Sequence, residues 1–514
     1  AVPLNADSKK SELIVLARGY DFYASPSVNE QGRALAYIAW NQPNMPWDHT
    51  DLIVQRLNKQ GLLDNKDKLN ISSYLAGSTA ASIPQARWHS DDKLYFVSDH
   101  EKWWRLYCYD PIADEVSALI DEPALNGLDE AEFGSPAWEL GLHSYDFISE
   151  QHLAALCNKN GRWQLLLIDL GLGENNVQCI PIRLSDSALP EEADFLAHLH
   201  AVSGSLVCIA GSANYAAQLI EFNLKTAHVE VVSETLAKMT MPSTVLSKPE
   251  SICFAVENIG QDNEVFAHAL FYAPTSNVVR EDGRLPPLII KTHGGPTSST
   301  TTQLDLSIQF FTTRGFAVVD VNYRGSNGYG CDYRHALYGR WGEADLQDCV
   351  ACIDYLVQEK RIDGQRVFAR GQSAGGYLTL MLACFTSRLC AGASTAGISS
   401  LEQLYLHTHK FEKDYLYNLG LEKAQKEAAE AVALAKKRAE EEIAKAQKEA
   451  ATNVSTASQK AEEAKQTYAQ EIAASQKVSQ DKMKEIQEEV AAKIKAAKEK
   501  ETEKSWEENR LPWK

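Results

Sequence analysis

The chain has 514 residues, with 51 Lys and Arg against 69 Asp and Glu, so its formal net charge is −18. That length allows roughly two to four domains, and an apolar fraction of 44% gives them real cores. The acidic balance argues against a nucleic-acid binder or an anionic membrane surface, because both draw their affinity from protein cations.

The N-terminus, Ala1-Val2-Pro3-Leu4, has neither a Met nor the basic-then-apolar pattern of a signal peptide. No apolar run reaches the roughly 18–20 residues of a membrane-spanning helix. Ten Cys are scattered from Cys108 to Cys390 without a regular framework, which predicts free buried thiols in a reducing, cytoplasmic setting. Cys349 and Cys352 form a lone C-x-x-C inside a helical pattern, so core packing is the expectation there.

From about Asp21 to Ser233 short period-2 strands alternate with Asp, Asn, Gly and Pro. A strand–turn–strand unit recurs: Leu35–Trp40 with Asp51–Val54, Lys93–Val97 with Arg105–Asp110, His152–Leu156 with Trp163–Asp169, Ser205–Ile209 with Gln218–Phe222. Repetition at roughly fifty residues predicts β-propeller blades, about four of them. Ser11–Ala17 reads as the last strand of an earlier blade. A sandwich or a run of unrelated hairpins is the competing arrangement.

From about Pro249 to Gly397 the pattern becomes alternating β and α. Leu288–Lys291, Phe316–Val321 and Arg366–Ala369 read as strands, and Asp345–Gln358 and Tyr377–Phe385 as helices. Continuous apolar strands between helices predict a parallel sheet covered on both faces. From Leu421 onward there is no Gly, His, Cys or Phe. Spacings of three and four along a mostly apolar series (Tyr468, Ile472, Ser475, Ser479, Met483, Ile486, Val490, Ile494) predict a long helix, or a helical hairpin broken near Thr452–Thr456. Its seam is mostly Ala in the first half, which favours a solvated helix over a coiled coil with a partner. Residues 421–514 hold 19 cations and 19 anions, so the whole charge of −18 lies in residues 1–420. The expected division is residues 1–245 as a partial propeller, 246–420 as an α/β domain and 421–514 as helix.

Gly371-Gln372-Ser373-Ala374-Gly375 lies between a predicted strand and a predicted helix. This is G-x-S-x-G in the setting its chemistry needs: a turn so tight that small residues must flank the nucleophile. The hydroxyl of Ser373 is then lifted clear of the sheet. His293-Gly294-Gly295-Pro296 follows the strand Leu288–Lys291, and its glycines expose backbone N–H groups. With the N–H of Ala374 they would form an oxyanion hole. His293 precedes the nucleophile and belongs to the turn, so it reads as structural.

These motifs, with Asn322–Gly330, Gly339–Gly342, Asp21–Pro26, Trp40–Asp48 and Thr408–Glu412, resemble the prolyl oligopeptidase family of serine peptidases, in particular its acylaminoacyl-peptidase and dipeptidyl-aminopeptidase-like members. The resemblance covers about residues 10–420. It implies an α/β-hydrolase capped by a seven-bladed propeller that admits only short peptides. Ser373 would form an acyl-enzyme, and the Gly295 and Ala374 N–H groups would hold the oxyanion. No cofactor and no metal are implied.

The same family places an Asp and then a His after the nucleophile. Here only His407 and His409 follow Ser373, about 35 residues on, and the helical tail holds a single Asp, Asp481. The triad Asp and His therefore have no counterpart, and a very weak or inactive peptidase is expected, with His407 or His409 as substitute bases the lesser alternative. About three blades and the last hydrolase strands are also unaccounted for, so a fragment or a chimera is the expectation. Exposed sheet edges or the 421–514 helix would then allow self-association. The alternative function is a non-catalytic interaction protein with a helical partner-binding tail.

Overall fold

The computed structural model describes residues 15–58, 63–75, 81–120, 127–171, 177–183, 192–235, 243–257, 265–275 and 284–508. The chain divides into two units, Ala1–Glu427 and Ala428–Lys514.

The first unit opens with four antiparallel four-stranded sheets, each a simple meander. The first is Phe22–Val28 (β1), Ala34–Trp40 (β2), Asp51–Leu57 (β3) and Leu63–Asn70 (β4). The second is Ala86–Trp88 (β5), Leu94–Ser98 (β6), Arg105–Asp110 (β7) and Glu115–Ala118 (β8). Tyr145–Ser149 (β9), His152–Lys159 (β10), Arg162–Asp169 (β11) and Val177–Ile180 (β12) make the third. Phe195–Val202 (β13), Ser205–Gly211 (β14), Gln218–Asn223 (β15) and Val229–Glu234 (β16) make the fourth. These are four blades of a partial β-propeller.

The period of two explains why the blades stack. Successive side chains of a strand leave on opposite faces. In β6, Leu94 and Phe96 pack with Ala36, Ile38 and Trp40 of the first blade. Tyr95 and Val97, one residue out of step, pack with Leu153, Ala155 and Cys157 of the third. Ala154 and Leu156 of β10 then join Leu206 and Cys208 of the fourth. Each such Leu or Phe contributes about 1.5–3 kcal/mol by leaving water. The earlier strand expected at Ser11–Ala17 lies mostly outside the described residues. Its described part, Val15 to Ala17, is irregular, with Leu16 and Ala17 packed on Leu35 and Tyr37.

The second part of this unit is one six-stranded sheet. It comprises Pro249–Val256 (β17), Val265–Tyr272 (β18), Leu288–Thr292 (β19), Ala317–Asn322 (β20), Val367–Gln372 (β21) and Leu389–Thr395 (β22), in the order β17-β18-β20-β19-β21-β22. Strands β20, β19, β21 and β22 are parallel, whereas β17, β18 and β20 run antiparallel. The all-parallel expectation is thus corrected to a mixed sheet. The short link between β17 and β18 permits only a hairpin, since a parallel pair needs a crossover of a dozen residues or more. Coverage is also uneven. Every residue of β20 is buried, but all of β22 after Leu389 is exposed, and β22 is the outermost strand of the sheet.

The helices around this sheet are Leu306–Thr312 (α1), Cys331–His335 (α2), Ala344–Gln358 (α3), Ala374–Phe385 (α4), Leu401–His407 (α5), Lys410–Lys413 (α6) and Tyr415–Asn418 (α7). Asp305 caps α1 by accepting the Ser307 N–H, and Ser400 caps α5 by accepting the Gln403 N–H. Helix α3 turns Cys349, Cys352, Ile353 and Leu356 into the core, all fully buried, so the C-x-x-C is packing. All ten Cys are free, but only Cys108, Cys157, Cys208, Cys349 and Cys352 are buried. The expectation of buried thiols is corrected for Cys179, Cys253, Cys384 and Cys390, which are exposed, and for the half-buried Cys331.

The last helix is Leu421–Glu508 (α8), 88 residues without a break. The hairpin alternative is therefore not what forms. At the expected break, Thr452 and Thr456 donate their hydroxyls to the carbonyls of Lys448 and Thr452, both at 2.8 Å. The polar groups that compete with a helix are here bonded inside it.

Asp345, in the first turn of α3, is fully buried. Burial pushes its carboxyl up to about 7, despite the hydrogen bond it accepts from Gly342 N–H at 2.7 Å. The folded pKa lies above the unfolded one, so this group's contribution is full below pH ~4 and is lost as pH rises to ~7. Asp345→Asn is expected to match the parent chain at pH 4 and to exceed it by about 4 kcal/mol above pH 7. Urea midpoints at the two pH values check this; equal differences at both would show that protonation is not involved.

Candidate active site

Strand β21 ends at Gln372 and helix α4 begins at Ala374, leaving Ser373 alone on the turn between them. Its backbone sits at φ 56°, ψ −121°, a region that L-residues avoid. Neighbours hold it there. The Ser373 N–H donates to Thr395 O of β22 at 3.1 Å, and its carbonyl accepts from Tyr377 N–H at 3.0 Å.

The flanking glycines are required by space. A Cβ on Gly371 would collide with Gly375 O and Thr292 Oγ1. One on Gly376 would lie 2.6 Å from Gly397 Cα. Thr292, the last residue of β19, donates its hydroxyl to Gly375 O at 2.9 Å, and Thr379 donates to the same carbonyl at 2.9 Å. The elbow is thus clamped to the neighbouring strand.

That strand runs straight into His293-Gly294-Gly295-Pro296. A Cβ built on Gly294 would be 3.7 Å from Ser373 Cβ and 3.4 Å from Gln372 O, so this loop lies against the elbow. Gly295 has φ +124°, and a Cβ there would lie 2.7 Å from Thr297 N. The next turn is tied to the segment between the second and third blades, where Trp138 Nε1 donates to Thr297 O at 2.6 Å. Ala374 is buried and opens α4, where the first N–H groups have no acceptor within their own helix.

His293 is held on three sides. Its Nδ1 lies 2.8 Å from Gly294 O and its Nε2 2.8 Å from Ser326 Oγ. The ring stacks on Tyr323 at 4.3 Å, and burial pushes its pKa down to about 4. It is therefore a neutral brace for the glycine loop. His407 ends α5 and His409 precedes α6. Both are exposed, and His409 Nε2 lies 3.7 Å from Glu412. Ser373 is exposed too, and among the described residues its hydroxyl has no hydrogen-bond partner.

Several supports of this site carry no sequence signal, because their partners are far apart in the chain. Asn322–Gly330 braces His293 through Ser326, and this stretch is itself held by residues elsewhere. Arg324 is buried on Asp348 of α3, with Nε donating at 2.8 Å and the backbone N–H at 2.6 Å. Glu132, between the second and third blades, accepts the Gly328 N–H at 2.7 Å. Arg334 of α2 is fully buried, pairs with Asp99 and Glu132, and lies 4.1 Å over the Trp104 ring.

Comparison with known proteins places this geometry. The profile of the prolyl oligopeptidase family matches residues 302–448. The acylamino-acid-releasing enzyme of Arabidopsis thaliana is 31% identical over 137 residues, 25% of this chain and 18% of that enzyme. The dipeptidyl aminopeptidase BIII of Pseudoxanthomonas mexicana is 31% identical over 161 residues, 30% of this chain and 23% of that enzyme. Among solved structures, a puromycin-hydrolyzing peptidase of Mycobacterium tuberculosis superposes with a TM-score of 0.69 at 31% identity, over 79% of this chain and 58% of that one. The chain thus spans less than a quarter of the curated relatives in their matched regions and just over half of the matched structure. The chain thus has a partial fold like that of the prolyl oligopeptidase family of serine peptidases, with a long C-terminal helix that is not part of that fold.

Proposed function

We propose that the chain is a serine-type peptidase unit that acts on short peptides through an acyl-enzyme on Ser373. The N–H groups of Gly295 and Ala374 hold the oxyanion, residues 246–420 serve as the catalytic domain, and residues 1–245 filter entry. The observation that carries this reading is the backbone of Ser373, held at φ 56° between β21 and α4 with Gly294 against it. Strain of this kind costs on the order of 1–3 kcal/mol, and it aims the hydroxyl.

A Ser hydroxyl is a weak nucleophile without an adjacent base. After Ser373 these 514 residues hold only His407 and His409, and both lie exposed on other elements. The turnover expected of the chain as it stands is therefore what an oxyanion hole and binding supply alone, about 10³–10⁴-fold over water. Labelling with a fluorophosphonate is expected to be slow, confined to Ser373 and lost in Ser373→Ala. Rapid stoichiometric labelling would refute the missing base, and labelling that persists in Ser373→Ala would refute the nucleophile.

A second reading is a non-catalytic or chimeric interaction protein whose helical tail binds a partner. The exposed apolar residues of α8 favour it. Peptide turnover abolished by Ser373→Ala separates the two.

A further inference from the structure

The apolar residues of α8 follow a stricter rule than spacings of three and four. Starting at Ala446, steps of 4, 3 and 4 residues repeat without interruption to Ala497. The positions are occupied mostly by Ala in the first part and by larger residues later. Of the eight Val, Ile, Met and Tyr residues between 446 and 497, six lie on this stripe: Tyr468, Ile472, Met483, Ile486, Val490 and Ile494. Each of them is about half exposed or more, from 48% at Val490 to 66% at Tyr468. The helix thus presents a largely apolar stripe to solvent over 52 residues, roughly 78 Å.

Three steps of 4, 3 and 4 make an 11-residue repeat, 3.67 residues per turn. A stripe with that period stays in line when two helices wrap with a right-handed supercoil. We propose that α8 pairs with α8 of a second copy of this chain, parallel and in register, as a right-handed coiled coil over residues 446–497.

The choice of partner and direction rests on what occupies the stripe. In register, Ala meets Ala in the first half and Ile, Met and Val meet themselves in the second, so small and large layers each close. Asn453 is the one amide on the stripe. In a parallel pair it meets Asn453 of the other copy, and the two amides can bond each other, the arrangement by which a polar seam residue fixes register. In an antiparallel pair centred on Ile472, Asn453 would lie opposite Val490 and Ala491, neither of which can answer its amide. The size is sufficient. The fifteen stripe positions with their flanking residues come to roughly 25 per chain, within the 20–30 a side of a standard interface. Charge does not oppose pairing, because residues 421–514 carry 19 cations and 19 anions.

The test uses the full chain. Sedimentation equilibrium is expected to show a dimer. Ile472→Glu with Ile486→Glu is expected to weaken it about tenfold or more, with helix content by circular dichroism unchanged because both positions are exposed in a single helix. Oxidation of Ile494→Cys is expected to link like chains beyond the level of the unsubstituted protein, whose own exposed thiols set the background. When Ala450→Cys and Ile494→Cys chains are mixed, a parallel pair gives 450–450 and 494–494 links. A dominant 450–494 link would overturn the direction. A monomer at all concentrations, or a dimer indifferent to the two Glu residues, would overturn the pairing itself.

Discussion

Gly375→Ala is expected to cost about 3 kcal/mol or more and to take the elbow out of register with the sheet. A Cβ on Gly375 would lie 2.7 Å from His293 O and closer still to Thr292 O. Both atoms are backbone, and Thr292 belongs to β19 at the centre of the six-stranded sheet. Neither can swing aside as a side chain would. The same carbonyl group of Gly375 receives the hydroxyls of Thr292 and Thr379, so any outward shift of α4 breaks two buried hydrogen bonds as well. Gly32→Ala is the matched control. It has φ +65° and nothing within 4 Å of its would-be Cβ, so only backbone strain of about 1–2 kcal/mol applies. Urea midpoints followed by Trp fluorescence compare the two. Equal losses would mean that the elbow is not clamped as described.

The second large effect is at Arg334. Its guanidinium is fully buried with the carboxylates of Asp99 and Glu132, both also buried. Arg334→Ala leaves two anions without a cation, a loss of about 3–5 kcal/mol. The pH dependence identifies the cause. Burial already raises Asp99 and pushes Glu132 up to about 7 with the Arg present. A carboxyl raised in the folded state contributes fully at low pH and loses that contribution as pH rises through its folded value. Without Arg334 both values move higher still. The deficit of the variant is therefore expected to be large at pH 8 and clearly smaller at pH 5, where the Glu132 carboxyl is neutral. A deficit of the same size at both would assign the role of Arg334 to its packing over Trp104.

Much of the architecture was legible because it depends on neighbours in the chain. Period-2 runs such as Ala34–Trp40 and Leu94–Ser98 specify strands with two apolar faces, and two such faces are what stacked blades need. The strand–Ser373–helix elbow is local as well: small residues two before and two after Ser373 are set by a turn of five residues. Less legible was the direction of β17 and β18, since an apolar strand looks alike in parallel and antiparallel sheets. Of the two forms open for the tail, the one with a break at Thr452–Thr456 did not form, for a related reason. Thr and Ser compete with a helix only when their hydroxyls bond elsewhere, and here they bond to carbonyls four residues back.

By itself, then, the sequence determined the blades, the Ser373 turn, the glycine loop and the helical tail, because each follows from spacing within some ten residues. Only the tertiary structure decided how that site is held. Glu132 reaches Gly328 across 196 residues, and Arg334 reaches Asp99 across 235. Such pairs leave no periodic trace, because their energy comes from desolvation and charge at one point in space and not from any repeat along the chain. The tertiary structure likewise supplied the partners of His293, which the sequence had already placed in the turn as structural: its burial and its contacts with Ser326 and Tyr323 make it a neutral brace.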